Sequence, residues 1–139
     1  MRPIFFYGLF MSAELLREQG LHPSSLGVAE LAGYRLHIGA RASLIRDDAG
    51  RCYGVLMDLP SAEAEALYAP ADVRDYRAEE VRVIQRESGR ELSALVYNLP
   101  AEALSAASNS DYARKLAELA RELELPPSYV DEIAAFAAG

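Results

Sequence analysis

The sequence has a single cysteine, Cys52, and only two histidines, His22 and His37. One thiol cannot form an internal disulfide, and without paired cysteines or closely spaced histidines there is no sign of a zinc cage. Long apolar runs are missing too: Ile4-Phe5-Phe6-Tyr7 stops at Gly8, and Glu14 and Arg17 follow soon after. That run is too short for the centre of a secretory signal, and no segment approaches the roughly eighteen uncharged apolar residues of a membrane span. Positive charge is scarce, with fourteen Lys and Arg against twenty-one Asp and Glu and a formal net charge of −7. Nucleic acid and anionic membrane surfaces select the opposite excess, so neither is an expected partner. A lone thiol and no evident signal make a reducing cytoplasm the expected compartment. What is present is 139 residues, 51% of them hydrophobic. A domain of that length buries roughly 68% of the surface its unfolded chain exposes, so one domain spanning residues 1–139 is expected to fold without a staple.

Residues 4 to 7 read as a buried strand running into a tight turn at Gly8. Ser12 is placed to cap a helix over Glu14 to Arg17 that Gly20 ends. The segment from Gly27 to Ile38 reads as a strand bulged at Gly33. Asp47-Asp48-Ala49-Gly50 carries turn chemistry between two extended runs, the second from Cys52 to Leu59, which predicts a hairpin turning at those four residues. Pro60 and Ser61 start a short helix, and a second hairpin pairs the runs around Val81 and Val83 and from Glu91 to Leu99 across Glu87 to Arg90. Tyr112, Leu116, Leu119 and Leu123 recur at helical spacing. Pro126-Pro127 ends that helix, and Ser128 with Asp131 predicts a capping box for a last one carrying Tyr129, Ile133 and Phe136. Five or six strands with helices between and after them make an α+β fold, a small barrel-like mixed sheet with peripheral helices.

Where chemistry could sit is less plain. A glycine turn leading into a helix start, Tyr7-Gly8-Leu9-Phe10-Met11-Ser12, leaves backbone N–H groups pointing one way, a nest suited to a carboxylate or an oxyanion. The same turn occurs for geometric reasons alone, and no second glycine or Lys-Ser pair makes it a phosphate loop. Cys52 reads as a buried, inert thiol in a strand, and both histidines read as structural. Glu63, Glu65, Asp72 and Asp75 cluster between the two hairpins and read as a solvated group. Nothing points to a metal, nucleotide or flavin cofactor.

The order of features is more specific than any one of them. Tyr7-Gly8 after the first strand, Gly33-Tyr34-Arg35-Leu36, Tyr53-Gly54-Val55-Leu56, Tyr76 before the next strand, and the closing Tyr112, Leu125-Pro126 and Tyr129 together resemble the γ-glutamylcyclotransferase-like (AIG2-like) family. The resemblance implies a small barrel with a cavity at one mouth, able to take a γ-glutamyl amine or peptide. Enzymes of the family are transferases that cyclise the γ-glutamyl group to 5-oxoproline and release the amine. By resemblance Tyr7, Gly8, Leu9, Phe10 and Met11 hold the glutamyl portion, while Tyr76 and Tyr112 line or close the cavity.

One departure is decisive for the chemistry. In the enzymes, a Leu eight residues beyond the equivalent of Leu59 is followed by Asp-x-x-Glu, and that Glu shuttles the proton. Here the same count gives Leu67, then Tyr68-Ala69-Pro70-Ala71, so a methyl group stands at the shuttle position. Asp72 and Glu65 are the replacement carboxylates within reach of the argument. The turn departs as well: Leu9 and Phe10 are bulkier and less polar than the family's Thr or Ser followed by Leu or Asn, which suggests a drier mouth. Three readings follow: a working cyclotransferase with a displaced carboxylate, a non-catalytic binding module for a small molecule or protein, or a purely structural domain with a collapsed cavity. The sequence leaves the oligomeric state open.

Overall fold

The computed structural model describes residues 3–70, 73–100 and 109–138. The first apolar run forms β1 (Ile4–Phe6), a strand so short and so enclosed that all three side chains are buried. It is a wedge between two longer strands. On one side it pairs antiparallel with β3 (Ala42–Asp58), placing Phe6 opposite Val55, and on the other it meets β5 (Glu91–Asn98) in parallel through Ile4 and Leu95. With β2 (Ser24–Ile38) and β4 (Arg77–Gln85) the sheet closes into a five-stranded barrel in the order β1-β3-β2-β4-β5. Every strand thus has a partner on both sides along part of its length, and the mixed barrel is the one expected from the sequence.

Strands of fifteen and seventeen residues must coil strongly to close so small a barrel, and bulges supply the bend. The ladder between β2 and β3 shifts register between Ser25 and Gly27 and again between Ala32 and Tyr34, with Gly27 and Gly33 at φ of 88° and 87°. The second shift corrects the hairpin expected at Asp47 to Gly50. Ala32 lies opposite Arg51 and Tyr34 opposite Arg46, so residues 47–50 form a wide bulge inside β3. The turn chemistry there is real, since the Ala49 N–H donates to Asp47 Oδ1 at 3.0 Å, but the chain re-enters the same ladder because β2 continues past it. The reversal itself sits at residues 39–41, where the Gly39 N–H donates to the Arg41 carbonyl at 3.1 Å.

The helices form where the sequence placed them. Ser12 accepts the Leu15 N–H at 3.1 Å and caps α1 (Ala13–Glu18). α2 (Ser61–Leu67) follows Pro60. Asn109 caps α3 (Ser110–Glu122), which packs beside α4 (Pro127–Ala138). The capping box expected at Ser128 is displaced: the Pro126 carbonyl accepts the Tyr129 and Val130 N–H groups, so Pro127 opens the helix and Ser128 lies inside its first turn. A proline at that position has its φ already helical and no N–H to satisfy. Against the barrel wall, Tyr129 meets Tyr53 at 5.2 Å and Phe136 meets His37 at 6.2 Å, both edge to face. Cys52 lies fully buried in that wall, its thiol pushed up to about 12 by burial, as an inert core residue. Among the described residues no helix is long and apolar enough to cross a membrane.

The buried Asn98 at the end of β5 ties the mouth of the barrel together. Its Nδ2 donates to the Leu44 carbonyl at 2.9 Å, and its Oδ1 accepts the N–H groups of Leu44 and Leu99 at 2.8 and 3.0 Å. The side chain thus imitates a strand partner for β3. Replacing Asn98 with Ala strands the Leu44 N–H and C=O, at about 1–3 kcal/mol for each buried group left unpaired. The variant's urea midpoint should fall accordingly, and an unchanged midpoint would remove Asn98 from this role. Gly54→Ala should be worse tolerated, because a Cβ there would lie 2.2 Å from the Phe6 carbonyl oxygen and 3.0 Å from the Phe5 ring. Loss of soluble folded protein, read by circular dichroism, is the expected outcome.

Candidate functional site

Beside Asn98 the barrel opens into a cavity of about 340 Å³, near the lower end of the roughly 300–1,000 Å³ usual for small-molecule sites. Its walls come from four places. The turn after β1 gives Tyr7, Gly8, Leu9 and Phe10, the β2–β3 reversal gives Ala40, Arg41 and Ala42, the segment after α2 gives Tyr68, Val73 and Tyr76, and β5 and α3 add Tyr97 and Tyr112.

Of the four N–H groups from Gly8 to Met11, two are committed. Leu9 donates to the Tyr112 hydroxyl at 3.3 Å and Met11 to the Gly8 carbonyl at 3.0 Å, which leaves those of Gly8 and Phe10 without a partner among the described residues. The constraint on Gly8 is its neighbour rather than its φ of −109°: a Cβ there would stand 2.5 Å from the Tyr112 hydroxyl oxygen.

Three of the five tyrosine hydroxyls are engaged with the backbone. Tyr7 donates to the Tyr97 carbonyl at 2.9 Å and Tyr76 to the Ala42 carbonyl at 2.5 Å, while Tyr112 accepts from Leu9. Carbon is therefore what much of the wall presents. Tyr68 stacks on Tyr97 with centroids 4.1 Å apart and planes 9° from parallel, and Phe10 stands nearly perpendicular to both Tyr68 and Phe6. Burial raises the pKa values of Tyr7, Tyr68, Tyr76 and Tyr112, so all four are neutral at pH 7.

Arg41 is the charged side chain among the described lining residues. Its two terminal nitrogens grip the Asp75 carboxylate at 2.6 and 2.8 Å, and its guanidinium lies 5.6 Å from the Tyr76 ring centroid. The hydrogen bonds from Arg41 hold the Asp75 carboxyl below its ordinary range. Glu63, in the same acidic cluster, is also engaged: it accepts the His22 N–H at 2.6 Å and sits 2.9 Å from His22 Nδ1, joining α2 to the chain after α1.

Of the residues expected at the site, Tyr7, Gly8, Leu9, Phe10, Tyr76 and Tyr112 come together around this cavity. Met11 does not. A 3₁₀ turn rotates successive side chains by about 120°, and Met11 of the Leu9–Met11 turn faces the core at 1% exposure. Glu65 is exposed on α2 and outside the lining, and Ala71 and Asp72 lie outside the described residues. Sequence reasoning missed Arg41, Tyr68 and Tyr97. Arg41 went unnoticed because the reversal was expected at 47–50, and Tyr97 because strand alternation alone does not say which face borders a cavity.

Residues 4–116 match the family described as gamma-glutamyl cyclotransferase, AIG2-like. The chain belongs to that family. No curated protein matches it. Among solved structures it is similar to an uncharacterized protein from Homo sapiens, at 20% identity and a TM-score of 0.79 over 96% of this chain and 86% of that one. A structure titled gamma-glutamyl cyclotransferase gives 20% identity and a TM-score of 0.78 with the same coverage. YkqA from Bacillus subtilis gives 23% and 0.81 over 99% of this chain, which spans 54% of YkqA. At these identities the likeness establishes the cyclotransferase-like fold.

Two outcomes follow from the geometry. Gly8→Ala alone should cost about 1–3 kcal/mol by overpacking, and Tyr112→Phe about 1 kcal/mol for its lost hydrogen bond. In the double variant the next atom near the new methyl is Tyr112 Cζ, 3.9 Å away, so the double variant should be more stable than the sum by at least about 0.5 kcal/mol; strict additivity in denaturant titrations would refute the contact. The second concerns alkaline pH. A tyrosine with a raised native pKa adds stability that is complete below its unfolded value of about 10 and is lost as pH rises through the native value. Absorbance at 295 nm should therefore leave Tyr7, Tyr68, Tyr76 and Tyr112 un-ionised near pH 10 until the chain unfolds. Smooth ionisation of all eight tyrosines with the fold intact would contradict this.

Proposed function

We propose that this chain binds a γ-glutamyl amine or peptide in the aromatic cavity and turns it over poorly or not at all. The observation that carries the reading is the pairing of unfilled N–H groups at Gly8 and Phe10 with walls whose described ionisable side chains are neutral tyrosines and one cationic arginine. The N–H groups suit the glutamyl oxygens, and Tyr7, Tyr76 and Tyr112 hold the space around them.

Cyclisation asks for more than binding. The substrate's α-ammonium must lose a proton, the amine must attack its own γ-carbonyl to form the five-membered lactam, and the departing nitrogen must gain a proton as the amide C–N bond breaks. A curled pose supplies proximity. Proton transfer is a separate task, worth typically 10²–10⁴-fold. A phenol whose pKa is raised by burial is a poor base at neutral pH, a guanidinium cannot accept a proton at all, and the family resemblance puts Ala71 at the position where its enzymes carry glutamate.

A second reading is turnover through a displaced carboxylate, with Asp72 as the alternative base in the sequence. Glu65, exposed and outside the lining, is the weaker candidate.

The test incubates the protein with a panel of γ-glutamyl dipeptides and amides, following 5-oxoproline and thermal stability together. Stabilisation without product is the expected result, about 2.7 kcal/mol at a ligand concentration a hundred times Kd. Ala71→Glu should then raise product formation by about a hundredfold or more. Product from the unmodified chain that disappears in Asp72→Asn would replace the binding reading with the catalytic one. No stabilisation by any γ-glutamyl compound would defeat both.

A further inference from the structure

We infer that the amine side of the bound ligand is an uncharged apolar group, best an aromatic amine, rather than an amino acid or a charged polyamine. The inference rests on the γ-glutamyl reading above and names the class of amide the cavity selects. Once the Gly8 and Phe10 N–H groups hold the glutamyl head, most of the remaining described wall is apolar: Phe6, Phe10, Tyr68 and Tyr97 with aliphatic neighbours, and Arg41 as its charged member.

Three features make that wall a receptor for carbon. The rings form one interlocked set, with Phe10 at 87° to Phe6 and 86° to Tyr68, and Tyr68 stacked on Tyr97. A further ring adds to such a set by the same edge-to-face contacts. Three of the polar ends are already engaged: the Tyr7 and Tyr76 hydroxyls donate to backbone carbonyls and the Tyr112 oxygen receives the Leu9 N–H. An ammonium or carboxylate on the amine side would give up water here for carbon, which is costly unless a partner group meets it.

The aromatic faces do not form a cation cage in compensation. One face of Tyr68 is covered by Tyr97, and the Arg41 guanidinium already lies over Tyr76. A cationic ligand would find that ring face of Tyr76 already taken by a guanidinium. The cavity of about 340 Å³ has room for a single ring beside the glutamyl head.

The experiment measures affinity by calorimetry for three γ-glutamyl amides on the intact chain: the benzylamide, the cationic 4-aminobutylamide, and the anionic conjugate with glycine. The benzylamide should bind at least tenfold tighter than either charged compound, and the preference should persist in 0.5 M NaCl, as a desolvation effect does. Phe10→Ser should narrow the ratio to about threefold or less. Equal or tighter binding of the aminobutylamide overturns the inference and leaves the γ-glutamyl reading standing. If 4-phenylbutyrate binds and no γ-glutamyl compound does, the aromatic slot stands and the γ-glutamyl reading falls. Binding by none of them overturns both. The ranking on the unmodified protein decides the matter even if Phe10→Ser does not fold.

Discussion

The mouth of this barrel depends on one amide side chain. β1 is three residues long and cannot separate β3 from β5 along their full length, so the two strands approach each other with no backbone ladder between them. Asn98 fills the gap by offering Leu44 a donor and an acceptor in the spacing a peptide group would use. Its neighbours are the site: Tyr97 precedes it, the Tyr7 hydroxyl reaches that residue's carbonyl, and Ala42 and Arg41 lie two and three residues before Leu44. Fixing one strand end fixes the distance between two walls of the cavity.

The wall on the far side is held by a different device. Arg41 and Ala42, on the β2–β3 reversal, are joined to the segment before β4 by the Arg41–Asp75 pair and by the Tyr76 hydroxyl bond. An exposed ion pair contributes little to stability. A bidentate one orients a guanidinium well, and here it does so against a tyrosine face. The reversal and the segment leading into β4 are thereby held against each other at the rim, and their shared task is the shape of the opening.

Much of this was legible from residues alone, and the misses have physical causes. Helix starts and stops were readable because caps are local: Ser12 and Pro60 act within one turn of themselves. The β4–β5 hairpin was readable because its turn residues do end the strands. Residues 47–50 misled because an Asx turn has the same local chemistry whether or not the chain reverses, and only the partner strand decides. For the site, the Tyr7-Gly8 turn and Tyr112 could be found in order along the sequence, yet their mutual contact spans more than a hundred residues and has no local signature. The stacking of Tyr68 on Tyr97 is likewise a product of closure.

The aromatic cluster also determines how the protein interacts with light. The chain contains no tryptophan and eight tyrosines, so its ultraviolet emission is tyrosine emission. Five of the eight, Tyr7, Tyr68, Tyr76, Tyr97 and Tyr112, border one cavity, and two of those rings are in van der Waals contact face to face. A change in that cavity therefore touches most of the chain's ultraviolet chromophores at once, including the stacked pair.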